Sequence, residues 1–353
     1  MQKKLIALAV AGLVAAPAMA QSNVTIYGLV DVGVSHRGDN INPGVGSKFS
    51  VDSGLQSGNR LGFRGTEDLG GGLKAGFVLE TGFGIEQPGF RNGGPLFGRQ
   101  AFVTLSGGFG TLAVGRVYTP QFNLLSAVDP FGFGTVGQMN NIYATDVRVD
   151  NTVAYISPNF SGLTVTAAYV NHLTGPETLG NNTDTRVYAL SPVYQNGPLM
   201  IGLNYHKIDP QTAGAASLDV WDLAGSYDFG VAKVAAAYGS REVNANDDRT
   251  SWMLGVTVPV SAAGKVLASY NYAKLDVAGS ADRKSTQWAV GYEHSLSKRT
   301  NLYVAYADIS NKRGGTSTDA QQNYITPASV GDSSNDTTTR YQNGFNLGIR
   351  HRF

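Results

Sequence analysis

The feature that most constrains this chain is an alternation of apolar with small or polar residues. It recurs from Val24 to the last residue, Phe353. Successive side chains of a strand point to opposite faces, so a period of two is the strand signature. Val24, Ile26, Val30 and Val32 share one face, and Thr25, Tyr27, Leu29 and Asp31 the other. At the far end Phe345, Leu347, Ile349 and Phe353 alternate with Asn346, Gly348, Arg350 and Arg352. Helical spacing is nowhere sustained beyond two turns. After the first twenty residues no apolar run approaches the ~18 residues that a spanning helix needs. The pattern therefore predicts an all-β chain.

Sixteen such segments follow one another, near 24–35, 59–67, 72–83, 98–106, 111–118, 149–157, 162–172 and 184–195, then 198–207, 218–229, 231–240, 250–259, 264–275, 284–295, 300–309 and 341–353. Short turns such as Asp68–Gly71 and Gln195–Pro198 separate some of them. Long polar stretches near 36–58, 84–97, 119–147, 173–183 and 310–340 separate others. Short and long connections taking turns imply antiparallel hairpins with two unlike ends, in one domain without an interior linker.

A soluble sandwich also alternates, so the chemistry of the faces decides. Only 15% of the residues are charged, against about 25% in an ordinary soluble domain. The non-apolar face is mostly Gly, Ser, Thr, Asn and Ala, as expected for a strand with lipid outside and a polar lumen inside. Tyr118, Tyr169, Tyr205, Tyr238, Tyr272 and Trp288 stand near strand ends, where aromatic girdles form. In hydrocarbon a sheet cannot keep an unpaired edge, so it must close. Sixteen strands enclose an aqueous channel, whereas about eight would fill with side chains.

The first twenty residues are read separately. Lys3 and Lys4, the apolar stretch Leu5–Ala16 and the small residues Ala18-Met19-Ala20 form a secretory signal pattern. The expected division is a signal peptide over 1–20 and a single barrel domain over 21–353. Without Lys3 and Lys4 the balance is 25 basic to 26 acidic groups, which gives no argument for nucleic acid as a partner. The absence of Cys excludes disulfides, thiolate zinc sites, a Cys nucleophile and lipid attachment after Ala20.

The run Asn59-Arg60-Leu61-Gly62-Phe63-Arg64-Gly65-Thr66-Glu67-Asp68-Leu69-Gly70-Gly71-Gly72-Leu73-Lys74-Ala75 resembles the second and third strands of Gram-negative general porins, closest to the neisserial and β-proteobacterial type. Leu79–Phe83, Arg99–Val103, Gly115-Arg116, Val153–Pro158, the opening Val24–Gly28 and the terminal Phe353 are similar to further family motifs in the same order. The resemblance implies a homotrimeric, sixteen-stranded transmembrane antiparallel β-barrel in the outer membrane, with the third external loop folded into the lumen. It also implies that Phe353 is the assembly signal read by the outer-membrane insertion machinery.

The loop has its own signature. Thr119–Val147 exceeds the ~12–15 residues of an ordinary structureless connection. It carries Phe122, Leu124, Leu125, Phe131, Phe133 and Met139, which a solvated loop would not need. With Leu61 and Phe63 facing lipid, parity turns Arg60 and Arg64 to the lumen, and on the next strand Lys74 and Glu80. The resemblance carries constriction roles onto Arg60, Arg116 and Arg148, with Arg99 and Glu80 beside them, and makes Asp129 the acidic lip of the loop. Basic groups opposite an acid would set a transverse field across a narrow polar gap. The competing role for the arginines is to brace the wall through loop carbonyls.

The expected function is passive diffusion of small hydrophilic solutes and ions, with a weak preference for anions. A substrate-specific channel and a non-conducting barrel adhesin or enzyme are the alternatives. No catalytic site, metal or cofactor is expected. Gly132–Gly137 matches G-x-G-x-x-G without the strand and helix that give it meaning. The five His lack ligand spacing, and no G-x-S-x-G elbow occurs. Asn246-Asp247-Asp248 reads as solvated loop rather than a divalent-ion site.

Overall fold

In lipid every strand needs a neighbour on both sides, and the chain meets this demand with one closed antiparallel sheet. The computed structural model describes residues 23–40, 44, 46–92, 94–173, 184–212, 214–244, 247–276, 282–313 and 341–353. The expected signal peptide and Asn246 lie outside them. The first half of the barrel is β1 (Asn23–Asn40), β2 in two arms (Lys48–Ser53 and Arg60–Gly70), β3 (Leu73–Gly84), β4 (Gln100–Gly107), β5 (Gly110–Tyr118), β6 (Arg148–Ile156), β7 (Leu163–Val170) and β8 (Thr185–Asn196). The second half is β9 (Leu199–Pro210), β10 (Leu218–Asp228), β11 (Lys233–Asn244), β12 (Asp247–Pro259), β13 (Gly264–Asp276), β14 (Arg283–Ser295), β15 (Thr300–Arg313) and β16 (Tyr341–Arg352). Pairing of β16 with β1, from Leu29↔Arg352 to Asn40↔Tyr341, closes the ring. A two-residue ribbon at Gly89–Phe90 only extends the end of β3. The described strands thus form a sixteen-stranded barrel, at the places the alternation predicts. Asp247 and Asp248 belong to β12 rather than to a loop.

Burial follows the parity. On β9 Leu199, Ile201, Leu203 and Tyr205 are exposed on the outer face, while Asn204 and His206 are buried on the inner one. Ring pairs on the outer surface join neighbouring strands: Tyr169–Tyr188, Trp221–Tyr238, Trp252–Tyr270 and Trp288–Tyr306. All of them lie on β7–β15. The turn from β2 to β3 uses Gly70, Gly71 and Gly72 at φ of 83°, 60° and 83°, a left-handed path that side chains with a Cβ resist.

Strand β2 departs from the sequence reading. Lys48–Ser53, expected within a loop, pairs with β1 from Val32↔Ser53 to Arg37↔Lys48. Residues 54–59 then leave the sheet before Arg60 resumes it. The gap strands the backbone of Asp31, and side chains repair it. The Asp31 amide donates to Asn59 Oδ1 at 2.6 Å. Its carboxylate accepts the amides of Gln56 and Ser57, both at 2.6 Å, and the Tyr303 hydroxyl at 2.5 Å. The excursion is therefore a fixed inward fold of the wall.

Candidate functional site

The segment after β5 does not pass over the barrel mouth. Thr119 caps helix α1 (Pro120–Val128) by accepting the Phe122 amide at 3.0 Å, and Pro120 takes a first-turn position where no amide is missed. Leu124, Leu125 and Val128 of α1 pack with Phe133, Met139 and Tyr143 against Ala224, Ala235, Ala237 and Met253 of β10–β12. Small wall residues leave the room that the loop side chains fill. Phe131, Val136 and Ile142 sit likewise against Leu267, Ala289, Ala305 and Ala307. The loop lies inside the barrel, along its β9–β15 wall.

Polar anchors fix its register. Asp222 accepts from Tyr143 Oη at 2.8 Å, Gln121 Nε2 at 2.9 Å and Asn204 Nδ2 at 3.0 Å. Burial, with the Asp222 carboxylate beside it, holds the Tyr143 phenol well above its ordinary pKa. Gln287, fully buried, donates to the carbonyls of Gly137 and Gln138 at 3.1 Å and accepts from Asn141 Nδ2 at 2.9 Å. Arg249 donates to the Ile142 carbonyl. At the far end the Thr135 amide donates to the carbonyl of Leu55, in the inward fold of β2. Gly134 lies so close there that a Cβ would strike the Gln56 backbone.

Two expectations about this segment are corrected. Asp129 is not an acidic lip. It is 5% exposed, and its carboxylate accepts the amides of Phe131, Phe133 and Met139 at 3.1, 2.9 and 3.1 Å. It ties the turn, and burial pushes its pKa up to about 6. Tyr118 is not a girdle residue, because its ring stacks on Phe122 of α1 at 4.5 Å. The loop's other acid, Asp146, is also engaged, with Arg241 Nη1 donating at 2.7 Å and His206 Nε2 lying at 3.2 Å. Burial raises its carboxyl, but those two partners outweigh burial and hold it at about 2.

Across the gap, β1–β6 carry the basic residues. Arg99, 1% exposed just before β4, donates from Nε to Glu80 Oε1 at 2.8 Å and from Nη2 to the Tyr118 hydroxyl at 2.7 Å. Arg148 donates to the same hydroxyl at 2.8 Å and lies over that ring, 4.5 Å from its centroid. Glu80 also accepts from the Tyr27 hydroxyl at 3.0 Å, and Arg64 covers the Tyr27 ring at 5.1 Å. Arg60 is within electrostatic reach of Arg99 and Glu80, and donates from Nε to the Gly58 carbonyl at 3.0 Å. Arg116 pairs with Asp150 and donates to the Gly98 carbonyl at 2.8 Å. A bulge makes that possible: Gly115, at φ 135°, breaks the β5–β6 register and frees Arg116 from strict alternation.

Of the eight expected constriction residues, the structure brings six together in one wall cluster and buries Asp129 within the loop. Lys74 lies apart. It is exposed beside the β2–β3 turn, six positions from Glu80 and so about 20 Å away along the strand. Parity gave its face correctly but not its height. Sequence reasoning missed Tyr27, Asp222 and Gln287, and gave Tyr118 a place in the girdle rather than here. Asp222, an acid between Trp221 and Leu223 in a spanning strand, was the visible signal for an inward partner.

The chain and its fold match known proteins. A family model described as Gram-negative porin covers residues 7–314. The chain belongs to the Gram-negative porin family. Outer membrane porin protein 32 of Delftia acidovorans is 36% identical over 372 residues, spanning all of both chains. The major outer membrane protein P.IB of Neisseria gonorrhoeae is 30% identical, covering 89% of this porin and 95% of that one. A solved anion-selective porin from Comamonas acidovorans superposes with a TM-score of 0.77 at 31% identity, over 94% of this porin and 100% of its own chain. The porin is an outer-membrane channel of a Gram-negative bacterium, for passive diffusion of small hydrophilic solutes and ions. Its relatives are channel proteins, and porins of this family are generally trimeric.

Proposed function

We propose that this porin is a weakly anion-selective general diffusion pore, with its narrowest section between the wall arginines and the loop. The observation that carries this reading is a charge imbalance. Five guanidinium groups, those of Arg60, Arg64, Arg99, Arg116 and Arg148, gather with two carboxylates, Glu80 and Asp150. The loop's two acids are spent on its own amides and on Arg241 and His206. Charge in a narrow lumen is screened less than on an open surface, so the surplus raises the local anion concentration. The likeness to a porin described as anion-selective supports the same reading.

Reversal potentials in a KCl gradient across a planar bilayer test it. Wild type favours chloride modestly, and Arg60→Ala or Arg148→Ala moves the potential toward cations. A cation-selective wild type would overturn the reading. Unmoved potentials in both variants would make these arginines braces.

The working unit of this reading is a homotrimer set in outer-membrane lipid. Among the described residues the outer ring pairs lie on β7–β15 and none on β1–β6. Val103, Leu105, Leu112 and Val114 are exposed there instead, a face suited to other copies rather than to the membrane interface. Phe353, half exposed, exchanges backbone hydrogen bonds with Gly28 at 3.0 Å. Its aromatic ring at the barrel seam fits the role of signal for the insertion machinery.

A further inference from the structure

We infer that Tyr118 is a specificity-determining positioning residue, whose phenol oxygen holds the Arg99 and Arg148 guanidiniums together on the constriction wall against their mutual repulsion. The inference rests on the anion-selective reading above and adds to it the group that keeps two of the selecting charges in place. Tyr118 is the last residue of β5, and Arg148, the first of β6, is its register partner. The loop leaves and rejoins the wall at this pair, where the Thr119 amide donates to the Val147 carbonyl at 3.1 Å.

The two cations converge on one atom. Arg99 donates to the Tyr118 oxygen at 2.7 Å and Arg148 at 2.8 Å, both through Nη2. Arg60 is within electrostatic reach of the same phenol. Like charges this near repel more strongly than in bulk water. An oxygen that accepts from both offsets the repulsion with two charge-assisted hydrogen bonds. The ring that carries this oxygen is itself fixed. Phe122 of α1 stacks on one face, with centroids 4.5 Å apart and planes at 13°. The Arg148 guanidinium lies 4.5 Å from the ring centroid, which leaves it the other face.

The two arginines depend on Tyr118 unequally. Arg99 is also held by Glu80, which accepts from its Nε at 2.8 Å. The Arg148 head has no second hydrogen-bond partner among the described residues, and its Nε is buried and unpaired. Without the oxygen, Arg99 repels that head, and the Asp150 carboxylate, two residues along β6 and paired with Arg116, draws it. No charge is lost, but it is spread along the wall. The fields of Arg99 and Arg148 then add less at the narrowest section, because each falls with distance and with screening. Anion preference therefore depends on a neutral side chain.

The test is Tyr118→Phe, which keeps both ring contacts and removes the oxygen alone. In a KCl gradient across a planar bilayer, its chloride-to-potassium permeability ratio falls at least half as far as that of Arg148→Ala. In the Arg148→Ala background the same substitution adds less than a fifth of that change, because the guanidinium it places is gone. A brace for the loop would instead act through α1, so amide exchange over residues 119–128 is the control. Protection there stays within about threefold of wild type. The positioning role is overturned by a ratio that Tyr118→Phe leaves unmoved, by shifts that add in the double variant, or by lost protection in α1. A cation-selective wild type, or an Arg148→Ala that changes nothing, overturns the reading beneath it instead.

Discussion

Replacing Gln287 with Leu tests whether the loop is held in the lumen by a few polar anchors or by its apolar packing alone. Gln287 donates to two loop carbonyls at 3.1 Å and accepts from Asn141 at 2.9 Å, with its own side chain fully buried. Leu has nearly the same volume, so the loss is of hydrogen bonds rather than packing. Each bond contributes about 1 kcal/mol net, and a buried group left unpaired costs more. About 2.5–3 kcal/mol of loop docking is therefore lost, roughly a hundredfold in the ratio of docked to undocked loop. The barrel ladders do not depend on this residue, so the temperature at which the folded band disappears on gels stays the same. Amide hydrogen exchange read by mass spectrometry on peptides spanning Asp129–Tyr143 reports the loop directly. Protection there falls by one to two orders of magnitude, while β13–β16 are unchanged. Protection within threefold of wild type would refute the reasoning and leave docking to Leu124, Leu125, Phe133 and Met139.

Three further outcomes follow from particular contacts. The Asp129 carboxyl holds its proton up to about pH 6 in the folded loop, against an ordinary 3.8, so its turn is most stable below pH 4 and loses roughly 3 kcal/mol as pH rises through 6. Exchange at Phe131, Phe133 and Met139, corrected for intrinsic rates, quickens between pH 4 and 7, and Asp129→Asn abolishes that dependence. Deleting Phe353 lowers the amount of inserted porin without changing the conductance of what inserts; unchanged surface levels would count against the assembly role. Leu105→Lys on β4 yields monomer on native gels and Leu203→Lys on β9 keeps the trimer, whereas equal behaviour of the two would remove β1–β6 as the subunit interface.

Strand positions were legible because lipid and lumen impose opposite demands on alternate residues, and a run such as Leu199–Tyr205 meets them without exception. Facing was legible for the same reason at Arg60, Arg64 and Glu80. Parity fails wherever the ladder is interrupted. The fold of residues 54–59 is stabilised by Asp31 and Tyr303, which are distant in the chain, so no local pattern announces it. The bulge at Gly115 similarly hides how Arg116 and Asp150 meet. Height within the barrel is invisible to alternation as well, so alternation groups Lys74 with Glu80, three pleat repeats further along the same strand.

The loop acids illustrate a deeper limit. A carboxylate in a polar, Gly-rich loop reads as available charge, yet a folded-in loop has many amides without strand partners, and the nearest strong acceptor takes them. Asp129 closes three such amides, and Asp146 is neutralised by Arg241 and His206 from the wall behind it. The transverse field expected from an acidic loop facing a basic wall is thereby reduced to a field from the wall alone. Selectivity then depends on how many wall guanidiniums are themselves compensated. Glu80 offsets Arg99, and Asp150 offsets Arg116, whereas Arg60, Arg64 and Arg148 contact carbonyl, ring and hydroxyl groups that carry no charge. Three guanidiniums without a carboxylate bonded to them, on one wall of the lumen, act on a passing ion together. Removing one of them should therefore shift selectivity in part, and the Arg60 and Arg148 substitutions combined should shift it further than either alone.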